Sequence, residues 1–130
     1  MSTLAACDLD RTLIYSRAAF GLGSDAPEPE VRCVELNHGE PLSFVTATGH
    51  TLLEQLAASG AMVPVTSRTV RQYRRITLPG PPPRFAICAN GGRLLQDGVE
   101  DEDYRATLRA DLAAASAPLE QVWALLRAAA

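Results

Sequence analysis

Two aspartates stand two residues apart in the stretch ACDLDRT, at Asp8 and Asp10, with Thr12 just beyond them. Two carboxylates at the edge of an apolar core repel each other and lose hydration. A divalent cation offsets both costs. Mg²⁺ favours one or two carboxylates together with phosphate oxygens and retained waters, so the pair reads as half of a magnesium site. A carboxylate held there can attack phosphorus and form an aspartyl-phosphate. A second carboxyl nearby can protonate the departing oxygen and later take a proton from the attacking water. Taken alone, the pair reads equally well as a helix cap and a turn residue. The other polar positions of the chain weigh against that.

Those positions follow from the elements. The apolar run TLAAC at 3–7 predicts a short parallel strand, buried on both faces and ending at Asp8. Residues 13–30 carry Gly, Pro and acids and read as loop. Residues 31–36 and 41–47 flank NHGE, and Gly39 suits a tight turn, which predicts a β-hairpin. TGHTLLEQLAASG predicts a helix with Thr48 as N-cap, Leu52, Leu53, Leu56 and Ala57 on one face, and Gly60 as its stop. AMVPV at 61–65 predicts the second buried strand. Thr69 and Gln72 have capping-box spacing and open a short helix running through Tyr73 and Arg75. FAICA at 85–89 predicts the third strand. RLLQ, a turn at Asp97 and Gly98, and two helices follow, the last with Leu119, Val122, Trp123 and Leu126 on one side. Alternating strands and helices imply an α/β fold with a Rossmann-like parallel sheet, whose ligands bind beyond the carboxyl ends of the strands. The polar residues fall at those ends: Asp8 and Asp10, then Thr66, Ser67 and Arg68, then Asn90 and Gly91.

With these residues in place, the chain resembles the haloacid dehalogenase superfamily of phosphohydrolases, in its capped sugar-phosphatase branch. DLDRT is similar to the family's first motif, D-x-D-x-T. VPVTSRT resembles the second, a strand ending in Thr or Ser with Arg two positions later. FAICANGG resembles the third-strand ending of that branch. The resemblance covers 4–95. It implies that Asp8 is the nucleophile and a metal ligand. It implies that Asp10 is the general acid/base and contributes its backbone carbonyl to the metal. Thr66 would bind the transferring phosphoryl group, and Arg68 and Asn90 would lie near substrate or support the site. Thr12, Ser67 and Gly91 complete the phosphate- and substrate-binding set. The implied cofactor is Mg²⁺ and the implied substrate a small phosphate monoester, a sugar phosphate being one class.

The family also needs a basic residue that neutralises phosphate and a second acidic pair on a later strand. This chain has twelve arginines and no lysine, so no lysine of its own can fill the first role. The expectation is therefore an N-terminal portion of a longer protein: a partial core at 1–95 with the hairpin inserted at 31–47, and the helical start of a cap at 96–130. Little activity is expected of this chain alone. Two rival expectations stand beside it. One is a non-catalytic binding or assembly module of the same fold. The other is a half-enzyme whose missing groups come from self-association or a partner chain.

Composition excludes several classes. With 47% apolar and 21% charged residues in 130, the chain reads as one globular unit. A net charge of −3 gives no field for nucleic acid. No apolar run approaches the ~20 residues of a membrane span. Cys7, Cys33 and Cys88 are odd in number and widely spaced, which predicts free thiols and a cytoplasmic location. EDED at 100–103 reads as a helix start rather than a metal motif. RQYRR reads as a solvated helix face, His38 and His50 as loop and exposed helix residues, Cys7 and Cys88 as small buried apolar groups, and Trp123 as a core residue.

Overall fold

A computed structural model describes residues 3–21 and 27–129. Strands β1 (Ala5–Asp8), β4 (Met62–Val65), β5 (Phe85–Cys88), β6 (Arg93–Gln96) and β7 (Val99–Glu100) form one mixed sheet in the order β1-β4-β5-β6-β7. A separate hairpin pairs β2 (Val31–Asn37) with β3 (Glu40–Thr46). Four α-helices, α1 (Ala47–Ala58), α2 (Val70–Tyr73), α3 (Glu102–Ala115) and α4 (Leu119–Ala129), complete the described part. Within the predicted loop 13–30 the chain makes a 3-10 turn, Arg17–Phe20, capped by Ser16; residues 22–26 of that loop lie outside the described residues. None of the described helices is long and apolar enough to cross a membrane.

The sheet is parallel only in part. β1, β4 and β5 are parallel, but β6 and β7 run antiparallel to their neighbours. The reason is the connection. A parallel crossover needs about a dozen residues or more, and only 89–92 separate β5 from β6. Ala89, Asn90 and Gly91, with φ of 52°, 53° and 90°, turn the chain straight back. The hairpin is as predicted. His38 and Gly39 both adopt positive φ, the conformation that a two-residue turn between twisted strands requires.

β1 is also not buried on both faces. Ala5 and Cys7 are half-buried while Ala6 and Asp8 are exposed, and among the described residues β1 pairs with β4 alone. Alanine is too small to mark which face is covered, so a continuous apolar run misreads an edge strand as a central one. The first helix starts earlier than predicted. Its N-cap is Thr46, whose Oγ1 accepts from the Gly49 amide at 3.0 Å. Leu53 and Ala57, one turn apart, are buried, Leu56 is half-buried, and Leu52 points to solvent. α2 has the predicted capping box between Thr69 and Gln72 but ends at Tyr73, so Arg75 lies beyond it.

Leu9, Ile14, Val34, Val45, Leu53, Ala57 and Met62 pack as one core cluster. Val70, Ala86, Cys88 and Leu95 form a second, and Tyr73 touches both. Cys88 is fully buried, Cys7 half-buried, and all three thiols are free. Trp123 does not pack in a core: it is exposed, with the Arg127 guanidinium over its ring at 5.7 Å. α4 is amphipathic in sequence, but its apolar side meets no other described element closely enough to be buried.

Candidate functional site

The sheet register places Asp8 beside Val65, and Val65 beside Ile87. The residues that follow each of the three parallel strands therefore gather at one end of the sheet. Backbone bonds stitch them together. The Thr66 amide donates to the Ile87 carbonyl at 2.9 Å, the Asn90 amide to the Thr66 carbonyl at 3.2 Å, and the Ala89 amide to the Arg68 carbonyl at 2.8 Å. Thr66 is buried, and its Oγ1 accepts from the Arg68 amide at 3.1 Å. After β1 the chain folds tightly around Leu9, which is fully buried. The amides of Thr12, Leu13 and Ile14 all donate to the Leu9 carbonyl, at 3.2, 2.9 and 2.9 Å. With Leu9 plugged into the core, Asp8 and Asp10 on either side of it are left exposed.

The two aspartates meet different neighbours. Asp8 Oδ2 accepts a long hydrogen bond from Thr12 Oγ1, at 3.5 Å. Asp10 is gripped by Arg68: Nε donates to Oδ2 at 2.8 Å and Nη2 to Oδ1 at 2.7 Å. This two-pronged pair holds the Asp10 carboxyl below the usual carboxylate range, chiefly by hydrogen bonding, with burial opposing and the guanidinium charge assisting. The same contacts push Arg68 further toward its charged form.

A third carboxylate, which sequence reasoning missed, shares Arg68. Arg68 Nη1 donates to Glu35 Oε1 at 2.8 Å, and the Glu35 side chain is wholly buried. Arg75 Nε donates to the same oxygen at 3.2 Å, and Ser43 Oγ donates to Glu35 Oε2 at 2.5 Å. Arg75 Nη1 also donates to Asn37 Oδ1 at 2.8 Å. Arg75 is thus an ion-pair partner rather than part of a solvated face. Strand alternation cannot reveal Glu35, because the β2–β3 register shifts on either side of it, so that Val34 and Glu35 are buried in succession. The only sequence hint is an acid placed between Val34 and Leu36 in VRCVEL.

The remaining predicted positions are placed as follows. Ser67 and Asn90 are exposed beside this cluster, and the Gly91 carbonyl accepts from the Tyr104 hydroxyl at 2.6 Å, tying α3 to the turn. His50 is half-buried rather than exposed, with Nδ1 3.4 Å from Arg32 Nη1 and 3.6 Å from Glu54 Oε2. Within EDED, Asp101 caps α3 by accepting from the Tyr104 amide at 2.8 Å. A cleft lined by Tyr73, Ile76, Leu78, Pro82, Pro83 and Leu95 lies by the start of β5, away from the carboxyl ends.

Among the described residues no group of three or more His, Cys, Asp or Glu side chains is arranged to hold a metal. Both Asp10 oxygens are engaged by Arg68. The donors left for a cation are the Asp8 carboxylate and main-chain carbonyls. That set fits Mg²⁺, which takes few protein oxygens and keeps waters and substrate phosphate as its other ligands. No protein-family model matches the chain, and no curated protein matches it in sequence.

Proposed function

We propose that the chain carries the nucleophile-bearing part of a phosphate monoester hydrolase of the haloacid dehalogenase type. Asp8 is the nucleophile: one of its oxygens forms a bond to phosphorus as the ester oxygen departs, and water then cleaves the aspartyl-phosphate. Asp10 exchanges the proton. Mg²⁺, held by the Asp8 carboxylate and the Asp10 carbonyl, would supply charge neutralisation for the phosphoryl oxygens. Thr66 holds the phosphoryl group from the neighbouring strand, and a small sugar phosphate is the substrate class. The observation that carries the reading is the convergence of Asp8, Asp10, Thr66 and Asn90 at the carboxyl ends of three parallel strands.

Arg68 refines the roles. It is a positioning group for Asp10, since all three of its guanidinium nitrogens donate to the two carboxylates. In the resting site Asp10 is ionised and suited to take the proton from water. To donate to the departing oxygen it must be protonated and leave Arg68. The reading in which another chain completes the site has one observation of its own, the outer edge of β1 beside Asp8, which no strand pairs with among the described residues.

The test compares the protein with Asp8→Asn. The expected result is Mg²⁺-dependent hydrolysis of p-nitrophenyl phosphate, slow but lost in the variant. Thermal stabilisation by Mg²⁺ with beryllium fluoride, a mimic of the phosphorylated carboxylate, should be lost with it. Turnover that survives Asp8→Asn, or the absence of both signals in the parent, overturns the reading.

A further inference from the structure

Arg68 is held from two sides that differ in burial. The Asp10 side chain is 51% exposed, the Arg68 side chain 14%, and the Glu35 side chain 0%. An ion pair open to water is worth little and is readily exchanged. A pair buried beyond the reach of water is hard to break, because each charge would be left uncompensated in a low dielectric. Glu35 is also fully engaged. Its Oε1 accepts from Arg68 Nη1 and Arg75, at 2.8 Å and 3.1–3.2 Å, and its Oε2 accepts from Ser43 at 2.5 Å. The backbone around it is pinned too: β2 bulges at this point, Glu35 bridges to Ile76, and the Thr77 amide donates to the Val34 carbonyl at 2.7 Å.

We infer that Glu35 is a positioning residue of the site: it anchors the Arg68 guanidinium from the hairpin side and so fixes the edge that faces Asp10. Arg75 is the counter-cation that makes this anchor affordable. It shares Oε1 with Arg68, so that two guanidiniums and the two carboxylates Glu35 and Asp10 balance in charge. In its functional meaning the inference rests on the proposed role of Asp10. A guanidinium fixed by Glu35 presents the same two donors, Nε and Nη2, to the Asp10 carboxylate. A guanidinium without that anchor would follow Asp10 or turn toward the phosphate.

The test is the rotation of the Arg68 guanidinium, read by ¹⁵N NMR of its Nε and Nη groups in the parent, Asp10→Asn and Glu35→Gln. Asp10→Asn changes an exposed side chain and should leave Arg68 rotation close to the parent rate. Glu35→Gln should accelerate it by about tenfold or more, the effect of losing a charge-assisted bond. A role confined to fold stability would lower the melting temperature of Glu35→Gln and leave Arg68 rotation unchanged, which overturns the inference. Free rotation in Asp10→Asn overturns it equally, and this arm decides alone if Glu35→Gln does not fold. The spectra involve neither Mg²⁺ nor phosphate ester. Their failure sinks the anchor and leaves the hydrolase reading standing, whereas turnover surviving Asp8→Asn does the reverse.

Discussion

Tyr73 sits where the two core clusters meet, at the end of α2, and its phenol has no easy route to ionisation there. Burial, with the Cys88 thiol adding to it, pushes its pKa from 10.0 up to about 12. The sign of the consequence is fixed. Below pH ~10 the phenol is neutral in both states and stability does not depend on it. As pH rises above that, the unfolded chain loses this proton and the folded chain keeps it, so stability falls until pH reaches about 12. Urea melts across this range should show Tyr73→Phe declining less than the parent, and equal slopes would disprove the assignment. Among the site residues, what was legible depended on chain position. Asp8, Asp10, Thr66 and Asn90 each break an apolar run where a strand must end, so type and place coincide. Glu35 and Arg75 do not. Arg68 lies 33 residues from Glu35 and Arg75 lies 40 away, and a bulge hides the acid from any strand pattern.

At the scale of elements, two glycines with nearly the same backbone separate turn geometry from packing. Gly39 in the β2–β3 turn has φ of 84°, and a Cβ there meets open space. Gly80 in the proline-rich connector has φ of 85°, but a Cβ would lie 2.9 Å from the Ala57 Cβ and 3.2 Å from the Glu54 backbone. Gly39→Ala should cost roughly 1 kcal/mol, the left-handed penalty alone. Gly80→Ala adds overpacking of the connector against α1 and should cost roughly 2–4 kcal/mol in all. Chemical denaturation of the two variants checks the order; equal losses would mean that the connector yields freely. The hairpin and the α2 cap were legible because Gly and a Thr–Gln pair act locally. The direction of β6 was not read in the fold class: Ala89 and Asn90 in left-handed conformations decide it, and neither residue type demands that conformation. The start of α1 slipped because Thr46 and Thr48 are chemically equal caps, and docking of Leu53 and Ala57 chooses between them.

For the whole molecule, burial is uneven along the chain. Both core clusters lie between Cys7 and Leu95. α3 is tied down by Tyr104, whose hydroxyl reaches the Gly91 carbonyl, and by the Arg93–Glu100 pair just before it. Every described residue from 111 onward is exposed, including Leu119, Val122, Trp123, Leu125 and Leu126. Sequence periodicity foresaw the apolar stripe of α4 but could not say whether anything covers it, since amphipathicity records a preference and not a partner. α4 has 11 residues. An isolated helix shorter than ~12–15 residues is marginal in water. In the monomer, α4 should therefore open locally at little cost, while β4 and β5 open only with the whole fold. Hydrogen exchange should find α4 amides unprotected when those of Val63 and Ala86 are still protected. Removing 117–130 should change stability by under about 0.5 kcal/mol, a shift of no more than about 2 °C for a domain of this size. A larger loss, or α4 amides as slow as those of β4, would mean that the exposed stripe is covered in solution, and a loss that shrinks on dilution would assign the cover to a second copy of the chain.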